Sequence, residues 1–178
     1  MPFTTRGAWK VRPNNPMRPD GVIHEYCPPE QVQSEMDRLF GYYDRTLREP
    51  FPVNVEAAWL HHRFVETHPF QDGNGRVSRL LMAWAYIRRG LPPPIITAQG
   101  KPDYIAALER ADAGNLKSFS DYLGALGLAT LTAAADLAEE IVAGNLNRPN
   151  GNGGRTVGDT YLPPDPAPGK ATPGSLET

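Results

Sequence analysis

The chain has 178 residues, a formal net charge of −2 and a sequence pI of about 6.1. This length suits one domain with a buried core, and the small charge argues against the basic field of a nucleic-acid-binding protein. The single cysteine, Cys27, excludes an intrachain disulfide, and no apolar run has the length of a membrane span. We therefore expect a cytoplasmic protein with no nucleic-acid or membrane partner, although secretion as an effector stays open.

The first predicted elements are two short extended segments at residues 8–12 and 22–26, joined by a stretch rich in Pro, Asn, Asp and Gly. They predict one β-hairpin. Apolar residues at helical spacing follow, with start and stop signals of the expected kinds. They predict helices at 31–47, 53–67, 76–89, 103–113 and 116–141, the last broken near 124–127.

The composition changes at Gly144. Residues 144–178 hold seven glycines and six prolines in 35 residues, with Tyr161 as the only aromatic residue. Such a segment buries too little apolar surface to offset the entropy of ordering, so it is predicted to be a disordered tail. The expected architecture is one all-α domain at residues 1–143, with a small β-hairpin and this tail.

The stretch HPFQDGNGRVSR, residues 68–79, combines turn-forming residues with polar and charged side chains between two predicted helices. Gly73, Asn74 and Gly75 lie at the N-terminus of the second helix. Backbone N–H groups without helical partners and the helix dipole favour an anion there. Glycine also lets the backbone approach a phosphate closely. These three residues therefore predict an anion site, although alone such a sequence is usually a turn.

Four charged or titratable side chains of this stretch add chemistry to the anion site. Arg76 and Arg79 share one helix face and carry forked donors that suit phosphate oxygens. Asp72 is acidic among positive groups, which indicates a bridging Mg²⁺, although it could instead cap the helix. His68 could accept a proton from an incoming hydroxyl group. Together they predict phosphoryl or nucleotidyl transfer.

At every specified position this stretch matches the Fic-family signature His-x-Phe-x-(Asp/Glu)-Gly-Asn-Gly-Arg-x-x-Arg. The flanking AAWLHHRFVETHPF and RLLMAWAYIRRGLPPP are also similar to Fic domains, so the resemblance covers about residues 5–127. It implies the helical Fic fold and transfer of AMP from ATP to a protein hydroxyl. It further implies that His68 is the base, that Asp72 binds Mg²⁺ and that Phe70 anchors the loop in the core.

The resemblance implies that an anion hole is formed by Gly73, Asn74 and Gly75. It also implies that the phosphates are held by Arg76 and Arg79. The hairpin at residues 8–26 resembles the family's flap, which aligns a target segment bearing a Ser, Thr or Tyr hydroxyl by strand addition. Family members usually have more chain before the flap. The sequence is therefore expected to be either a compact variant or one without an N-terminal part.

Many Fic proteins also carry an inhibitory (Ser/Thr)-x-x-x-Glu-(Gly/Asn) helix, whose glutamate pairs with the last arginine of the motif. This sequence lacks that pattern, since Glu49 follows Thr46 one residue too early. We therefore hypothesise that a small antitoxin supplies a glutamate to Arg79 in trans, or that the enzyme acts away from the targets of its own cell.

Three alternatives remain beside AMP transfer. The Doc-like branch transfers a phosphoryl group but carries Lys where this chain has Gly75, and donors other than ATP stay open. A non-catalytic interaction module is the third.

A histidine metal site is not expected. His61 and His68 lie seven residues apart, but the sequence offers no third metal ligand beyond a speculative His24. His61 is therefore expected to serve packing.

Overall fold

The computed structural model describes residues 7–17, 21–48 and 51–143. The described part consists of a short 3₁₀ turn at Pro29–Gln31 followed by five helices: α1 Val32–Thr46, α2 Val53–Thr67, α3 Asn74–Ile87, α4 Lys101–Asp112 and α5 Leu116–Val142. The predicted all-α class is confirmed, and the predicted helix ends agree with these bounds to within two residues. The predicted tail at 144–178 lies outside the described residues.

Helix α2 lies at the centre of the bundle, where it packs against α1, α3 and α5. Its Leu60 and Phe64 side chains are buried, and Phe119 and Leu123 of α5 are completely buried. Burial of each such side chain stabilises the fold by about 1.5–3 kcal/mol. The C-terminal end of α2 is therefore a firm base for the loop that follows it. None of the helices in the described ranges has the length and apolar character needed to cross a membrane.

The predicted break in α5 is wrong, because the helix is continuous through both of its central glycines. A Cβ atom on Gly127 would lie 2.9 Å from the Tyr86 ring, and one on Gly124 would lie 3.3 Å from the Asn54 amide nitrogen. The Tyr86 hydroxyl in turn donates to the Leu123 carbonyl oxygen of α5, at 3.2 Å. These glycines permit close helix packing, and a helix tolerates glycine at a cost of about 1 kcal/mol.

The N-terminal hairpin is smaller than predicted. Its described residues form a single antiparallel bridge between Met17 and Ile23, and the His24 N–H donates to the Pro16 carbonyl oxygen at 2.9 Å. Residues 8–12 form no ladder with the second predicted strand within the described ranges. Proline has no N–H to donate, so a segment that contains several prolines cannot form a continuous ladder.

Both arms of this N-terminal segment instead lie against the end of α2 and the loop after it. The Lys10 N–H donates to the Pro69 carbonyl oxygen at 2.7 Å, and the Cys27 N–H donates to the Glu66 carbonyl oxygen at 3.1 Å. The described parts of this segment, residues 10–17 and 21–27, therefore contact the face of the molecule that carries the motif loop, residues 68–73, between α2 and α3. We call this segment the flap.

Candidate active site

His68 ends helix α2 in a left-handed backbone conformation, with φ 45° and ψ 55°. This conformation is uncommon for a residue other than glycine, and the proline that follows disfavours the helical alternative. The imidazole Nδ1 lies 3.3 Å from the Val65 carbonyl oxygen, which can only accept a hydrogen bond. In the tautomer that this contact favours, Nδ1 carries the proton and Nε2 carries the lone pair that a general base needs.

Asn74 closes the loop between α2 and α3. Its Oδ1 accepts a 2.9 Å hydrogen bond from the Phe70 N–H, and its Nδ2 donates to the Phe70 carbonyl oxygen at 2.7 Å. The Asn14 amide of the flap donates to the same carbonyl oxygen at 2.8 Å. The Phe70 ring packs against the core and lies 5.3 Å from the Trp9 ring, centroid to centroid. The loop is thus anchored by its own asparagine and by the flap.

We expect Asn74→Leu to loosen this loop, because the Phe70 N–H would lose its acceptor. Loss of a partly buried hydrogen bond of this kind costs about 0.5–1.5 kcal/mol. Amide hydrogen exchange at Phe70 should become faster than in the wild type. The control is Asn115→Ala, which removes the cap at the start of α5, where the asparagine accepts from the Ser118 N–H. That change should cost about 1 kcal/mol and leave exchange at Phe70 unaltered. Equal exchange in all three proteins would contradict the anchoring role.

Gly73 precedes the first turn of α3 with φ 90°, in the left-handed region that favours glycine. No side chain caps this helix, so Asp72 does not have the capping role that was its alternative explanation. The first N–H groups of α3, from Asn74 and Gly75 onward, have no helical partners. A Cβ atom on Gly73 would lie 3.3 Å from the Arg76 Nη2 atom, so the missing side chain also makes room for that guanidinium.

The two motif arginines differ in their surroundings. Arg76 pairs with Asp72 at 3.3 Å, and each side chain is about half exposed. Such a pair is weak and readily exchanged for another ligand. Arg79 is partly buried, and no ion pair holds its guanidinium in the part of the chain that the structure describes. Both guanidiniums can therefore be used to bind an anion.

His61 of helix α2 is fully buried, and its Nε2 lies 2.9 Å from the Tyr104 hydroxyl oxygen. Its buried Nδ1 has no hydrogen-bond partner among the described residues. Burial, together with the nearby charge of Arg79 and then of His62, lowers the pKa of His61 to about 3. His61 is therefore neutral and packed in the core, as the sequence predicted.

Asp72 suits a Mg²⁺ ion that arrives with a nucleotide. Mg²⁺ is usually held by one or two carboxylates together with phosphate oxygens and water. Within residues 7–17, 21–48 and 51–143, no group of three or more His, Cys, Asp or Glu side chains could hold a metal ion. A half-exposed carboxylate beside the start of α3 fits a metal whose other ligands come from phosphate and water.

Tyr26 of the flap stacks on the His68 ring, with ring centroids 3.7 Å apart and an interplanar angle of 13°. The sequence placed Tyr26 at the end of a predicted strand and gave it no function. A contact between residues so far apart in the chain has no signature in sequence periodicity, so this member of the site could be found only in the folded structure.

Residues 3–86 match the family model of the Fic/DOC family. The chain is also 40% identical over 94 residues to proteins named protein adenylyltransferase Fic from Drosophila persimilis and Drosophila melanogaster. The matched region covers 51% of this chain but only 18% and 19% of those relatives. The chain thus matches about a fifth of the length of these curated relatives.

Solved structures show the same fold. A Fic domain containing signaling protein from Bacteroides thetaiotaomicron superposes with a TM-score of 0.71 at 30% identity, covering 75% of this chain and 55% of that one. Fic-1 from C. elegans superposes with a TM-score of 0.56 at 30% identity, covering 60% of this chain and 32% of that one. Motif, family match and fold all support assignment of this chain to the Fic/DOC family.

Proposed function

We propose that this protein is a nucleotidyltransferase that transfers AMP from ATP to a hydroxyl side chain of a target protein. The observation that carries the proposal is one short loop that joins a histidine with a lone pair on Nε2 to the uncapped start of α3. The adenylyltransferase name of the Drosophila relatives supports this activity for the region that they share with this chain.

In the proposed reaction, the target's hydroxyl oxygen attacks the α-phosphorus of ATP. A phosphoester bond to the target forms, the bond from the α-phosphorus to the bridging oxygen breaks, and pyrophosphate leaves. His68 takes the hydroxyl proton on Nε2 as the attack proceeds. The Val65 carbonyl keeps the proton on Nδ1, which maintains the tautomer that can act as a base.

The start of α3 would stabilise the negative charge that develops on the phosphates. N–H groups of Gly73, Asn74 and Gly75 are preorganised donors, which is an effective form of transition-state stabilisation. Arg76 and Arg79 would hold the other phosphate oxygens. Mg²⁺ bound by Asp72 would neutralise phosphate charge, and release of the weak Asp72–Arg76 pair would make both side chains available together.

The flap would present the target. Met17 and Ile23, the two residues of its β-bridge, are 73% and 59% exposed. An extended peptide can add to such a short edge through main-chain hydrogen bonds, a known mode of peptide recognition. We propose that the acceptor hydroxyl is delivered toward His68 in this way.

The surroundings of Arg79 are compatible with regulation in trans. No carboxylate within the described ranges pairs with Arg79. Glu139 and Glu140 are exposed near the C-terminal end of α5. We propose that a small antitoxin supplies a glutamate to this arginine and restrains the enzyme. A desolvated charge pair of this kind can be worth several kcal/mol.

The test is to incubate the purified chain with Mg²⁺, cell lysate and ATP labelled at either the α- or the γ-phosphate. AMP transfer should label target proteins from α-labelled ATP alone, and His68→Ala should not label them. Labelling from γ-labelled ATP would instead indicate phosphoryl transfer. Labelling only from another α-labelled nucleotide would show that this nucleotide, and not ATP, is the donor. Absence of label from every donor would favour the interaction module. Expression of the unrestrained wild type should also slow growth, whereas His68→Ala should not.

A further inference from the structure

The stack of Tyr26 on His68 joins the flap to the imidazole of the motif loop. The two rings are nearly parallel, and a centroid separation of 3.7 Å leaves no room for water between them. The side-chain nitrogens of an imidazole lie in the ring plane, so a ring stacked on its face does not cover them. Tyr26 can therefore restrict the orientation of the imidazole and still allow in-plane proton transfer at Nε2.

The hydrogen-bond contact between the His68 side chain and Val65 is weak and leaves the imidazole some rotational freedom. The distance from Nδ1 to the Val65 carbonyl oxygen is 3.3 Å, at the long end for a hydrogen bond. Such a bond selects the tautomer, but it permits rotation about the bond to the ring. A parallel ring against the imidazole face opposes this rotation, since turning the imidazole would drive its edge into the tyrosine.

Tyr26 is itself held in place on both sides of its position in the chain. Its backbone N–H donates to the Asn15 Oδ1 atom at 3.1 Å, and the next residue, Cys27, donates its N–H to the Glu66 carbonyl oxygen at 3.1 Å. The His24 ring packs edge-on against the tyrosine with centroids 4.7 Å apart. The stacking ring is thus fixed both to the flap and to the last turn of α2.

We propose that Tyr26 is a positioning residue that holds the His68 imidazole in its reactive orientation. This role rests on the proposed function. The stack also connects target binding to the base. The His24 N–H donates to the Pro16 carbonyl oxygen, and both residues are next to the Met17–Ile23 bridge of the flap. A peptide docked on the flap beside Ile23 would therefore bind three residues along the chain from the ring that orients the base.

The test compares Tyr26→Leu with Tyr26→Phe by steady-state kinetics and by NMR of the His68 ring protons. Misplacement of a catalytic group by about 1 Å can cost about 100-fold in rate. Tyr26→Leu should lower kcat by about that factor, with the KM for ATP unchanged, and Tyr26→Phe should restore kcat. The upfield ring-current shift of the His68 ring protons should disappear in Tyr26→Leu and persist in Tyr26→Phe.

A matched control is Tyr42→Leu, which removes a half-exposed tyrosine that packs edge-on against Trp59 on the α1–α2 side. It should change neither kcat nor the His68 shifts. Wild-type kcat in Tyr26→Leu, or equal losses in Tyr26→Leu and Tyr26→Phe, would overturn the proposal. If the wild type transfers no nucleotide, the proposed function fails, yet the NMR comparison still tests whether Tyr26 positions the His68 ring. Unchanged His68 shifts in a folded Tyr26→Leu protein would then refute the positioning role.

Discussion

His68→Ala is expected to abolish labelling of target proteins while ATP binding survives. The base acts on the acceptor hydroxyl and touches no phosphate group in the proposed reaction, so its loss affects the chemical step. General bases contribute roughly 10²–10⁴-fold to such a rate. The measurements are single-turnover transfer from α-labelled ATP and calorimetric titration of ATP in the presence of Mg²⁺.

The left-handed backbone of His68 calls for a second variant. His68→Asn also removes the base, but asparagine tolerates this conformation better than alanine does. Equal loss of transfer in both variants would assign the effect to the imidazole. Transfer at nearly the wild-type rate in either variant would remove His68 from its catalytic role. Loss in His68→Ala alone would show that the backbone turn matters more than the side chain.

Acidification from about pH 6.5 toward pH 3 is expected to destabilise the protein through His61. The folded-state pKa is about 3, below the ordinary value of 6.5, because the ring is buried and lies near the Arg79 charge. The unfolded chain therefore binds the proton first as the pH falls. The contribution of neutral His61 is fully present above pH 6.5 and is lost by up to about 1.4 kcal/mol per pH unit below it.

This prediction is measured by urea unfolding at several pH values in wild type and in His61→Gln. Glutamine cannot take up a proton in this range, but it can keep a hydrogen bond to the Tyr104 hydroxyl. Other carboxylates titrate in both proteins, so the difference between the two curves isolates His61. The wild type should lose stability more steeply as the pH falls. Parallel curves would contradict the depressed pKa.

The sequence predicted the helices well because each has a strong local signal. Helices α2 and α3 show apolar residues at helical spacing, and α3 ends before a glycine and three prolines. The break in α5 was predicted wrongly because glycine has two meanings in a helix. Local propensity favours interruption, whereas the Tyr86 ring requires a residue without a Cβ atom at Gly127. Only packing between α3 and α5 decides between them.

For the motif, residues 68–79 by themselves indicated the family and determined the boundary between two helices and the set of polar groups. This was possible because the motif is continuous in the chain. Only the tertiary structure decided which of these groups are restrained by distant residues. The Tyr26 stack on His68 and the burial of His61 near the Arg79 charge both involve separate segments of the chain. Side-chain stacking and desolvation depend on separations in space, and separations in space between distant residues are set by the packing of the whole bundle.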